Sequence, residues 1–104
     1  MSEVLEDHTG RKIRLTDERL NHIFHHAEMK NQISKIKETI RNANIIKHSE
    51  KDKNVLMFHK LYEKTPVTRK YLLAAVKLDD NDAFVVTAFF TDKIKKGEIV
   101  CQKK

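Results

Sequence analysis

The chain has 104 residues, of which 39% are hydrophobic and 35% charged, a length that suits one domain, residues 1–104, with a core that needs neither disulfide nor metal. The balance is too apolar for a disordered chain. Twenty-one Lys and Arg against 15 Asp and Glu leave a formal charge of +6, which favours a polyanionic partner, nucleic acid first.

"EVLEDHTGRKIRLT" opens the chain as a short N-terminal hairpin, with His8-Thr9-Gly10-Arg11 between two short runs containing apolar residues. "TDERL" then signals a helix start. Thr16 or Asp17 can accept orphan backbone N–H bonds, and Asp17 and Glu18 suit the positive end of the helix dipole. Leu20, Ile23, Phe24 and Ala27 follow at helical spacing, which predicts a first helix over about 17–29. Asn31 can cap a second, over about 32–43, where Ile33, Ile36, Ile40 and Ala43 form the apolar stripe.

After Ala43 the period changes. "NIIKHSE" and "VLMFHKLYE" read as strands around the polar turn "EKDKN". A loop with the single proline, Pro66, follows. "KYLLAAVKL" and "AFVVTAFFT" are the clearest strands, joined through Asp79-Asp80-Asn81-Asp82 as a hairpin. The expected class is α+β: two N-terminal helices packed on a four-stranded antiparallel sheet, with a short N-terminal hairpin. Alternation puts Leu56, Phe58, Lys60 and Tyr62 on one face of their strand and Val55, Met57, His59 and Leu61 on the other. Thr87 and Thr91 share a face with Val85 and Phe89. Lys60, Thr87 and Thr91 are expected on an open sheet surface.

"HIFHH" concentrates three of the six histidines in five positions. On a helical wheel His22 lies nearly opposite the apolar stripe, with His25 and His26 flanking it at i+3 and i+4. His26 is expected to be partly packed. Two His at i and i+4 can chelate zinc, but no third-ligand pattern accompanies them, so no metal is expected here. The plainest reading is a polar helix face with surplus histidine. The sharper one is acid/base chemistry: an imidazole deprotonates a ribose 2′-hydroxyl while Lys60, Arg69 or Lys70 holds the phosphate. For any single one of these cations the common alternative is a solvated side chain at a strand end.

Cys101 is the only cysteine, so no intramolecular disulfide can form, which fits a reducing, cytoplasmic setting. No apolar run approaches membrane length, and "MSEVLEDHTG" has no signal-peptide segment. Neither a membrane nor a particular oligomeric state is implied.

"RLTDERLNHIFHHAEM" resembles the "RLTxERxxHIxxRHPE" opening of small phage- and bacteria-associated nuclease-like domains. "RKYLLAAVKL" with "DAFVVTAFFTDKIKKGE" resembles their closing strands and the "TAxxTDxIKKG" signature. The chain, from about Lys12 to about Gly97, therefore looks like a member of the barnase–EndoU–colicin–RelE-like (BECR) superfamily, the metal-independent ribonuclease fold common in toxins. Carried over by position, the helix histidines of the motif fall on His22 and His26, its polar strand residues on Thr87 and Thr91, and the start of its penultimate strand on Lys70 and Tyr71. His25 stands where the motif has arginine, and Ala27 where it has proline.

That resemblance implies a toxin-type endoribonuclease that needs no cofactor. The 2′-oxygen attacks the adjacent phosphorus and leaves a 2′,3′-cyclic phosphate. His22 is the expected base or acid, and His26 orients or partners it. Lys60 and Lys70 hold the phosphorane charge, with Thr87 and Thr91 as donors to it. His25, Arg69 and Tyr71 are the expected substrate contacts. The partners are RNA and an antitoxin or immunity protein. The alternative is a basic domain of the same fold that binds RNA or a phage partner without cleavage.

Overall fold

A computed structural model describes residues 3–103. β1 (Glu3–Glu6) and β2 (Lys12–Leu15) pair antiparallel, with Glu3 opposite Leu15. Their turn is organised by the buried Asp7. Its Oδ1 accepts from the Thr9 and Arg11 amides at 2.9 and 3.0 Å and from the Thr9 hydroxyl at 2.6 Å. Burying a carboxylate is costly unless donors surround it, and this turn supplies them.

α1 (Asp17–Phe24) begins where Thr16 accepts the Arg19 amide at 3.2 Å, with Asp17 and Glu18 in the first turn. It is shorter than the periodicity predicts. His26 takes an extended backbone, φ −79° and ψ 116°, and stops the helix; a 3₁₀ turn follows at Ala27–Met29, burying Met29. Asn31, at φ 61°, redirects the chain into α2 (Ile33–Arg41), which buries Ile36, Thr39 and Ile40.

β3 (Ile45–His48), β4 (Val55–Tyr62), β5 (Lys70–Asp79) and β6 (Asp82–Thr91) form an antiparallel meander, and β7 (Ile99–Gln102) pairs antiparallel with the outer side of β3. Asp79 faces Asp82 across the last hairpin, where Asp80 takes φ 49°.

The described residues form one mixed sheet of seven strands in the order β1-β2-β6-β5-β4-β3-β7. This corrects the expected four-stranded antiparallel sheet. The N-terminal hairpin is part of the sheet, because β2 runs parallel to β6 with Arg14 opposite Phe84. Leu5, Ile13 and Leu15 are buried there, and a detached hairpin would leave them in water. At the other end β7 adds the strand that patterning missed.

Both helices lie on one face, α1 against β6 and α2 against β5, β4 and β1. Ile23, Ile36 and Ile40 meet Leu56, Phe58, Leu72, Ala74, Val76 and Val85 to make the main core. Each of these side chains larger than alanine contributes about 1.5–3 kcal/mol when withdrawn from water. A smaller cluster of Met57, Leu73 and Ala75 lies on the opposite face.

Four antiparallel pairings separate β6 from β7, so these two strands run the same way and the chain must cross the sheet between them. Residues 92–98 make that crossing over the face without helices. The Lys95 amide reaches the His59 ring, and Gly97 lies against the His48 carbonyl and the Met57 methyl. Four strand spacings amount to about 19 Å, and four residues of travel along the strands add about 13 Å at right angles. The eight Cα steps from Thr91 to Ile99 reach at most about 28 Å, so the strap is nearly taut.

Candidate nucleic-acid interface

The structure disperses the residues that the sequence groups into one site. His22, His25 and His26 are all exposed, so His26 is not partly packed; the early end of α1 takes it off the apolar stripe. The His22 and His25 rings stand 6.3 Å apart, tilted by 35°. They line a shallow depression of about 240 Å³ with Glu18, Arg19 and Asn21. No expected lysine or threonine lines it.

Lys60 does not share a face with Thr87 and Thr91. It alternates with Phe58 and Tyr62 toward the helices, half-buried, its Nζ 6.0 Å from the Tyr62 ring centre, with Lys35 Nζ at 5.9 Å from the same ring. The Tyr62 hydroxyl bonds the Lys35 carbonyl at 3.0 Å and lies 3.2 Å from the Thr39 hydroxyl. Burial pushes its pKa up to about 12. Lys70 stands opposite Tyr62 and is bonded to Asp92, while Arg69 is exposed and paired with Glu63 at 3.0 Å.

Tyr71, Thr87 and Thr91 do fall together, on the strap-bearing face. Tyr71 is opposite Thr91, and Thr87 is opposite Ala75 beside a bulge. The Thr91 hydroxyl donates to the Lys93 carbonyl at 3.2 Å, which turns the chain into the strap. Phe89 packs half-buried on the smaller cluster of that face, and Arg14 lies over the Phe84 ring at 5.8 Å.

The strap puts Lys93, Lys95 and Lys96 onto this face, all exposed and, among the described residues, without an ion pair. Lys47 on β3, opposite Met57, adds a fourth cation without an ion pair among the described residues. Of the strap's own carboxylates, Asp92 is bonded to Lys70, whereas Glu98 is exposed and has no ion pair among the described residues. Asp82 is held below the ordinary carboxylate range by its bond to Arg14, and Asp52 by its bond to Lys77. Lys93, Lys95, Lys96 and Lys47 against the one unpaired strap carboxylate, Glu98, leave this face net positive where half-buried aromatics face solvent, an arrangement that attracts polyanions.

A family model described as large polyvalent protein-associated domain 3 matches residues 2–100. The chain belongs to that family. No curated protein and no solved structure matches it. The description of large polyvalent protein-associated domain 3 carries neither nuclease activity nor RNA.

Among the described residues of this large polyvalent protein-associated domain 3 chain, no group of three or more His, Cys, Asp or Glu is placed to hold a metal ion. No helix there is long and apolar enough to cross a membrane. The residues missed by sequence reasoning are the strap lysines and His59. "DKIKKGE" gave a signal, three lysines in four positions, but nothing local says that the run lies across a sheet.

Proposed function

We propose that this domain is a non-catalytic RNA-binding module whose contact surface is the strap-bearing face. The observation that carries the reading is the set of unpaired lysines, Lys93, Lys95 and Lys96, held on the same face as Tyr71 and Phe89. Lysines along a track hold phosphates, and aromatic rings on a sheet give bases a surface to stack on. Tyr71 and Phe89 are diagonal neighbours across β5 and β6, a separation of about 7–8 Å. A module tied to a large polyvalent protein can hold nucleic acid without chemistry of its own. The exposed free Cys101 fits the cytoplasm as its setting.

The ribonuclease reading keeps His22 as its base, but the groups meant to hold the phosphorane lie elsewhere on the molecule. Binding therefore has the better support. Both readings meet one test: purified domain with labelled single-stranded RNA in EDTA, across a salt series. The expected result is a mobility shift without cleavage, weakening steeply as salt rises. Cleavage lost in His22→Ala would return the case to the ribonuclease and its antitoxin or immunity partner. No shift at low salt would end the binding reading.

A further inference from the structure

His59 is a histidine at 0% exposure in the middle of β4. Its Nε2 accepts the Lys95 amide at 3.1 Å. A ring nitrogen that accepts carries no proton, so the proton of the neutral ring sits on Nδ1. Nδ1 is buried and, among the described residues, has no hydrogen-bond partner. Among the described residues, the Lys95 amide makes the only hydrogen bond from residues 94–97 to the sheet. The middle of a nearly taut strap thus hangs on one acceptor, and that acceptor is the one atom of the ring that protonation removes.

The surroundings of His59 oppose a positive ring. Burial holds its proton affinity below the ordinary histidine value, and the charges of Lys47 on β3 and Lys95 on the strap push the same way. The carbonyls of Ile45 and Met57 act in the other direction, though neither reaches hydrogen-bond geometry with Nδ1. β5 offers only Leu73 opposite the ring, and Met57 and Leu61 flank it on β4. Among the described residues, no carboxylate acts on it to compensate the charge.

We propose that His59 is a proton-operated latch: neutral, it holds the middle of the strap, residues 94–97, on the sheet, and protonated, it releases that segment between ends that stay tied by Asp92 to Lys70 and by the Glu98 carbonyl to the His48 amide. An imidazolium presents N–H at both nitrogens, so Nε2–H would face Lys95 N–H and the bond becomes a repulsion. The ring can gain its charge only where water reaches it, and lifting the strap admits water. Release also frees Lys95 and Lys96 from their fixed places and lifts Gly97 from Met57.

The test is amide hydrogen exchange on the intact domain between pH 8 and pH 5, corrected for intrinsic rates, with the His59 ring followed by ¹⁵N spectroscopy. The proposal expects an Nδ1–H tautomer at pH 8. It also expects Lys95 protection to fall at least about tenfold relative to β5 as the ring titrates. In His59→Gln, whose side-chain oxygen can still accept but does not titrate, Lys95 protection should be independent of pH. Three results would each overturn it: ring titration with Lys95 protection unchanged, the same loss in His59→Gln, or a ring still neutral at pH 5 under a closed strap. If His59→Gln does not fold, the wild-type comparison of ring and amide decides alone. No RNA enters the measurement, so its outcome is separate from that of the binding reading.

Discussion

Arg14 on β2 and Asp82 on β6 are joined by two hydrogen bonds, Nε to Oδ1 at 3.0 Å and Nη2 to Oδ2 at 2.6 Å. The pair spans the parallel junction between the N-terminal hairpin and the meander, where Arg14 opposite Phe84 is the one register pair. A guanidinium fork matches a carboxylate in a way that a lysine does not. Arg14→Lys should therefore raise amide exchange in β1 and β2 while leaving β4 and β5 protected.

The same pair sets a pH signature. Arg14 lowers the Asp82 pKa, so the contribution of the pair is in place above the ordinary carboxylate range. It is lost as the pH falls through the lowered value. In Arg14→Gln the Asp82 carboxyl should titrate higher, near its ordinary value. A ¹³C titration of the carboxyl carbon reads this directly, and an unchanged midpoint would dismiss the pair.

Gly97 is packed against backbone. A Cβ there would lie 1.9 Å from the His48 carbonyl oxygen, and that oxygen belongs to β3. No side-chain rotation relieves such a clash. Gly97→Ala should lower stability by at least about 2 kcal/mol, toward the upper part of the range for overpacking. At Gly10 nothing lies within 4 Å, and only the φ of 88° opposes a side chain. Gly10→Ala should cost about 1 kcal/mol. Denaturant midpoints compare the two, and equal losses would mean that the strap does not bear on β3.

Tyr62 ties β4 to α2 through its hydroxyl. Tyr62→Phe should cost about 1–2 kcal/mol, the loss of a partly buried hydrogen-bonded hydroxyl. In wild type the fold also raises the phenol pKa from 10.0 to about 12. The unfolded phenol ionises first, so this contribution is intact below pH 10 and declines as the pH rises above it. Urea midpoints at pH 8 and pH 11 should converge for wild type and Tyr62→Phe, and a constant gap would contradict that sign.

RNA affinity should separate the helix histidines from the strap. Lys95→Ala and Lys96→Ala should each flatten the slope of log affinity against log salt by about 0.7, the value for one phosphate contact on a single strand. His22→Ala, on an exposed helix face, should change affinity by no more than about twofold, within the 0.5 kcal/mol typical of surface substitutions. A loss confined to His22→Ala would move the interface to α1.

Local chemistry made several elements legible. Thr16 before two acids marks the start of α1, and the aspartate-rich turn marks the β5–β6 hairpin, because both features are fixed by neighbours in the chain. Long-range pairing left no such trace. Ile99-Val100-Cys101-Gln102 has no alternation, since all four residues are exposed, and its sheet partner lies some fifty positions earlier, with Ile46 opposite Cys101. The parallel seating of β2 depends on Phe84 and Asp82, which patterning in residues 12–15 cannot signal. The candidate site suffered most. Face assignment for Lys60 and Thr87 requires knowing where the helices lie, and periodicity within one strand carries no information about that.

The strand order also dictates a sequence of events in time. The meander from β3 to β6 links neighbours in the chain, whereas the Arg14–Asp82 contact closes a separation of 68 residues. Contacts between near neighbours close quickly and distant ones slowly. The N-terminal hairpin leaves the ribosome before the meander, yet it has no seat until β6 has been made. Until then Leu5, Ile13 and Leu15 stay exposed on the nascent chain, available to a chaperone or to a like segment of another chain. Pulse-labelled exchange during refolding should protect β4 and β5 before β2, and simultaneous protection would mean that the sheet assembles in one step.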